Sequence, residues 1–252
     1  MHRLAISFFL ILAALSPLNA EEYVVATFKL KPMMSVDGSG QAEGILVTLT
    51  REAFERAGHK VSFRHLPFKR AFTEVKLGKV TAMSSLFRTP EREAKIQYPD
   101  TPLIEYQMVF IALKDYQRVF ENDLSFLQSQ RLSLLSGSSY TKRLYDAIDQ
   151  HQARLEKVKD FDAAARMLLL GRVDVIAVEL YSGLEAIRKL QREPDIKILP
   201  PPFASIPVYL GYTRERDMTL LMAEVERSFQ EMRADGTFNR LLSQYAPQYL
   251  IN

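Results

Sequence analysis

The stretch from residue 67 to residue 103 holds the first side chains with chemistry to offer. Ser84 and Ser85 follow a short apolar run, Val80 to Met83, and Thr89-Pro90-Glu91-Arg92 comes next. Thr89 suits a helix N-cap and Pro90 the first helical position, where its missing N–H is no loss. Hydroxyls and free backbone N–H groups would then gather just past the end of a strand, with a forked guanidinium in the next turn. Open α/β sheets bind ligands at such places, and this donor set suits a carboxylate. The competing reading is a surface arginine paired with Glu91 or Glu93, because exposed pairs are common and weak.

Two further groups have the same potential. Arg131 to Leu135 reads as a strand that meets Ser136-Gly137-Ser138-Ser139-Tyr140, and Thr141 to Ile148 reads as a helix. Strand, glycine with small hydroxyls, then helix is the outline of an anion site built from N–H groups and a helix dipole, although a capped helix start has the same pattern. Glu179 stands directly after the apolar strand Val173 to Val178. It is either a carboxylate facing a cleft or an ordinary exposed loop acid. The chain has no cysteine, and its histidines beyond residue 20 are His59, His65 and His151. None falls in these loops and no nucleophile–base spacing appears, so no catalytic residue, metal ligand or cofactor is assigned.

The elements that must position these groups alternate between strand and helix. Strands are expected at Tyr23–Leu30, Val61–Leu66, Glu105–Leu113, Ile196–Leu199 and Pro207–Thr213, with the rigid Pro200-Pro201-Pro202 between the last two. Helices are expected at Gly44–Gly58, around the stripe Phe68, Phe72 and Val75, at Asp162–Leu170 and at Ser182–Leu190. A long one carries Met218, Leu221, Val225, Phe229 and Met232, and a final one carries Phe238, Leu241, Leu242 and Tyr245. That order implies an α/β fold with largely parallel pairing. Met33 and Met34 lie in a loop, Lys31 to Gly44, where packing competes with a ligand role.

Length and composition set outer bounds. The chain has 252 residues, is 47% hydrophobic and carries a formal charge of +3. So small a charge gives no reason to expect nucleic acid or an anionic membrane as partner. Residues 1–20 have the form of a secretory signal peptide: Arg3, an apolar run from Leu4 to Leu15, and a cut near Ala20. With no cysteine there is neither a disulfide nor a lipid-anchored cysteine, which points to a soluble, freely diffusing periplasmic protein, expected to be a monomer.

The segments PFKRAFTEVKLGKV, SS, TPERE and IQYPDTPL resemble the first lobe of bacterial periplasmic solute-binding proteins of the amino-acid-binding class, family 3. The resemblance extends over nearly all of residues 22–248. It implies a type 2 periplasmic-binding fold, two lobes joined by two crossing strands that act as a hinge. Residues 22–110 plus 208–252 would form the first lobe and residues 111–207 the second. It also implies ligand roles for Arg92, Ser84, Ser85, Phe87, Ser138, Ser139, Tyr140, Glu179 and Met33. Arg92, Ser85 and the N–H groups around Ser138 and Ser139 would hold a carboxylate. Glu179, where the family usually has an aspartate, would take an ammonium or else an internal arginine such as Arg88. Phe87 replaces a small hydroxyl residue common in the family, so the ligand is expected to be smaller, flatter or not an α-amino acid. The implied function is capture of a small amino-acid-like carboxylate or amine for a membrane permease of an ABC transporter. The alternatives are a sensor subunit for a signalling receptor and a dehydratase-like enzyme on the same scaffold.

Overall fold

A computed structural model describes residues 22–136 and 140–245. The expected signal peptide and the expected site residues Ser138 and Ser139 lie outside the described residues.

The chain begins with strand β1 (Glu22–Thr27). A small hairpin of β2 (Ser35–Val36) and β3 (Ala42–Glu43) follows, within the segment expected to be loop. Helix α1 (Ile45–Arg56) buries Leu46, Leu49, Ala53 and Phe54, a stripe at helical spacing. β4 (Lys60–His65) and α2 (Phe68–Lys76) complete the first βαβ pattern with β5 (Ala82–Phe87). β5 corrects the expectation that the strand ends at Met83: Ser84 and Ser85 are inside it. The short helix α3 (Pro90–Glu93) has the expected cap, with Thr89 Oγ1 accepting from the Arg92 N–H.

After β6 (Ile96–Gln97) comes the long β7 (Ile104–Leu113). β8 (Arg131–Leu135), α4 (Lys142–Gln150), β9 (Arg154–Val158), α5 (Phe161–Leu169), β10 (Val175–Glu179) and α6 (Leu180–Arg188) build the opposite wing. β11 runs from Ile196 to Thr213 as one strand, where two were expected. Pro200, Pro201 and Pro202 are accommodated because the register with β7 shifts between Leu199 and Ala204, so no ladder N–H is required of them. α7 (Thr219–Ala234) and α8 (Thr237–Tyr245) close the chain. The α7 stripe Leu221, Val225, Phe229 and Met232 is buried, as its spacing requires.

Among the described residues the main sheet has the order β4-β1-β5-β11-β7-β10-β8-β9, with β6 joined to β11. The wings are parallel: β1 with β4 and β5, and β8 with β9 and β10. The centre is antiparallel, because β7 and β11 run the length of the junction and pair with each other. The result is a two-lobed, mixed α/β sheet in which the two central strands are shared. The C-terminal ends of the parallel strands therefore face each other across that junction.

Candidate ligand cleft

A cleft of about 440 Å³ opens at those strand ends. Phe28 follows β1, Ser85 and Phe87 come from β5, and Leu135 and Ser136 end β8. Glu179 ends β10, and Tyr106 and Met108 project from the shared strand β7. Phe68, Lys69 and Arg92 complete one wall, with Tyr140 and Phe161 on the other.

Glu179 sits where it does because α6 starts on top of it. Gly183 lets that helix approach β10 closely, since a Cβ there would clash with the Val178 side chain. The Glu179 carboxylate accepts from the backbone N–H groups of Tyr181 (3.1 Å) and Ser182 (2.8 Å), so it caps the helix. It is only 4% exposed, which removes the reading as a loop acid. Burial pushes its carboxyl up to about 7, against the pull of those two donors. No cation pairs with it among the described residues. Arg88 does not: it pairs with Glu93 and does not line the cleft.

Arg92 faces the cleft from α3. Its Nη1 donates to the Phe87 carbonyl at 3.2 Å, and the guanidinium lies over the rings of Phe68 and Phe72, at 5.9 and 5.5 Å. Neither Glu91 nor Glu93 takes it as an ion-pair partner. The Phe87 carbonyl also accepts from Tyr98 Oη at 3.1 Å, which fixes the acceptor that aims the arginine. Phe68 and Phe72 were expected as a core stripe of α2. The structure buries Val75 of that stripe, with Ala71 beside it, leaves Phe72 half-buried against the core and leaves Phe68 38% exposed; both rings lie under the arginine, and Phe68 also lines the cleft.

Ser85 is held in a left-handed conformation, φ +63°, inside a strand. A non-glycine residue stored there costs free energy and marks a constrained position. Its Oγ is 2.7 Å from Tyr106 Oη, a buried hydroxyl pair at the cleft floor. Desolvation raises the Tyr106 phenol, which stays protonated. Phe87 packs its ring edge-on to Tyr106 at 6.4 Å and lines the same wall.

Three expected site residues are placed otherwise. Met33 is fully buried and absent from the cleft; with Met34 it fills the core. Ser84 is 1% exposed, does not line the cleft, and its Oγ has no hydrogen-bond partner among the described residues. Tyr140 does line the cleft, but its hydroxyl accepts from Leu135 N–H and donates to the Ala177 carbonyl. That phenol ties β8 to β10, leaving the ring as its contribution to the wall. Sequence reasoning missed Phe28, Lys29, Lys69, Tyr106, Met108 and Phe161. For Phe28 the signal was available, since it directly follows a strand of the parallel wing.

Among the described residues no cluster of three or more acids and histidines could hold a metal ion, and no helix is long and apolar enough to cross a membrane. None of His59, His65 or His151 borders the cleft: His59 pairs with Glu224 at 2.7 Å, and His65 meets Thr27 Oγ1.

Two α/β wings sharing a crossing strand pair, with a cleft between their strand ends, define the architecture of a type 2 solute-binding protein. The chain belongs to the bacterial extracellular solute-binding proteins, family 3, whose model matches residues 23–248. It is 24% identical to the histidine-binding periplasmic protein of Escherichia coli K12 over 260 residues, covering 97% of each chain. It is 22% identical to the ABC transporter arginine-binding protein 1 of the same organism, covering 86% of this chain and 87% of that one. The solved structure of the probable amino-acid ABC transporter extracellular-binding protein ytmK from Bacillus subtilis superposes with a TM-score of 0.75. It is 18% identical, over 90% of this chain and 98% of that one, which speaks to fold alone.

Proposed function

We propose that this chain captures a small amino-acid-like solute in the cleft and presents it to the permease of an ABC transporter. One observation carries the reading. Arg92 and Glu179 line the same cleft, and neither has an ion-pair partner of its own among the described residues. A carboxylate and an ammonium on one ligand would complete both, which matters because an unpaired charge becomes costly once water leaves. Ser85 would bond the ligand's carboxylate beside Arg92, and the N–H groups of Ser138 and Ser139 would add donors. Phe87 and the ring of Tyr140 would limit its width. The names of the histidine- and arginine-binding relatives support the amino-acid class.

In this reading residues 22–110 and 208–252 form one lobe, residues 111–207 the other, and the chain works in the periplasm after a cut near Ala20. Closure is a hinge motion about β7 and β11, driven by contacts made only in the closed form. A near-neutral buried carboxyl also suits proton transfer, so the second reading is an enzyme on this scaffold with Glu179 as its acid or base. New resonances from a bound metabolite on prolonged incubation would favour it.

The test is a thermal-unfolding screen of amino acids, amines and small carboxylates. A ligand at about 100 times its dissociation constant should stabilise the protein by roughly 2.7 kcal/mol. No shift from any of these classes would remove the proposal.

A further inference from the structure

We propose that the cleft selects a solute with a net negative charge, an amino acid with an acidic side group or a close dicarboxylate relative, over neutral and basic amino acids. This rests on the reading of the cleft as the solute site and adds the substrate class.

The charges on its walls do not balance. Lys29, Lys69 and Arg92 all line it, and Glu179 is its one carboxylate among the described residues. Gly137, Ser138 and Ser139, at its edge in sequence, bear no charged side chains. None of the three cations has an ion-pair partner among the described residues, whereas the neighbouring Lys31 reaches Glu43 at 3.9 Å and Arg88 reaches Glu93. A simple zwitterion would satisfy Arg92 and Glu179 and leave both lysines unanswered. A basic side chain would add a further positive charge to a wall already in excess, a like-charge juxtaposition that disfavours binding.

Two local features sharpen the point. Lys69 lies in the first turn of α2, which holds no acid, and the Pro67 cap contributes no side-chain bond. A cation there opposes the helix dipole, and an anion bound nearby would offset that. Lys29, Phe28 and Phe68 also border a side recess of about 320 Å³, continued by His65, Leu66 and Pro67. A side group leaving the main cleft past the Phe28 and Phe68 rings, 5.0 Å apart and edge-on, would reach Lys29 there. Desolvation lowers the His65 imidazole, so the recess draws its positive charge from the lysine.

Calorimetric titration of the purified chain with glutamate, aspartate, glutarate, glutamine and arginine tests this. Glutamate or aspartate should bind more tightly than glutamine and arginine, and that preference should shrink as salt is added. In the double variant Lys29→Gln/Lys69→Gln, the affinity ratio of acidic amino acid to its amide should fall by about tenfold. Tighter binding of glutamine or arginine by the wild type, or an unchanged ratio in the double variant, overturns the substrate class. If glutamine then binds in an Arg92-dependent way, the amino-acid reading stands without it. If no member of the set binds, the acidic substrate class falls, and the wider thermal screen decides the amino-acid reading by itself.

Discussion

Arg92→Ala should weaken binding of the cleft's ligand by on the order of 2–5 kcal/mol, the range for truncating one partner of a hydrogen-bonded charge pair closed off from water. Arg92→Lys should recover only part of the loss, because an ammonium keeps the charge but cannot span two carboxylate oxygens. Neither change should unfold the protein. The guanidinium spends one donor on the Phe87 carbonyl and rests on two partly exposed rings, so its removal leaves no buried group newly unpaired apart from a carbonyl that Tyr98 still serves. Calorimetry for affinity and a melting curve for the unliganded variants read the two effects separately. Wild-type affinity in both variants would return Arg92 to the surface charges.

Glu179→Gln should alter both stability and binding, with opposite signs. Its carboxyl titrates near 7 in the folded chain against an ordinary value of 4.5. The folded state therefore holds that proton more tightly than the unfolded state does. The resulting stabilisation is complete below about pH 4.5, is lost as pH rises toward 7, and is absent above. Glutamine cannot ionise, so the unliganded variant should gain on the wild type across that window, by on the order of 2–3 kcal/mol at pH 8 relative to pH 4. Urea midpoints over this range measure it, and a constant difference between the two proteins would contradict the shift. A ligand ammonium requires the ionised form. Wild-type affinity for an amine-bearing ligand should therefore rise from pH 6 to pH 8, with proton release detected by titration in buffers of different ionisation heat. The variant should show neither.

The parts of this fold legible in sequence were those with strong local punctuation. Helix α1 announces itself by the stripe Leu46, Leu49 and Ala53, and α3 by Thr89-Pro90. β9 escaped because Arg154-Leu155-Glu156-Lys157-Val158 is an edge strand burying little beyond Val158, so it lacks an apolar signal. β11 was divided by its three prolines, which a register shift absorbs only in the tertiary structure. At the site, Phe87 and Glu179 end β5 and β10, and Arg92 follows in the capped turn of α3, whereas Ser85 lies inside β5 and not past its end. Met33 was misplaced because a buried and a ligand-facing methionine look alike in a loop. Tyr106 and Met108 were missed for a different reason: a strand buried almost throughout gives no sign of which side chains border a cleft. The left-handed Ser85, set beside a break in the β5–β11 register between Tyr209 and Gly211, has no sequence signature at all.

The most direct test takes the tightest-binding amino acid of the screen together with two analogues, one lacking only its α-ammonium and one lacking only its α-carboxylate. Calorimetry on the wild type measures all three. If Arg92 and Glu179 grip opposite ends of one solute, each analogue should bind at least about tenfold more weakly, since each leaves one cleft charge unanswered. Either analogue binding as tightly as the parent would show that the corresponding charge lies outside the binding site.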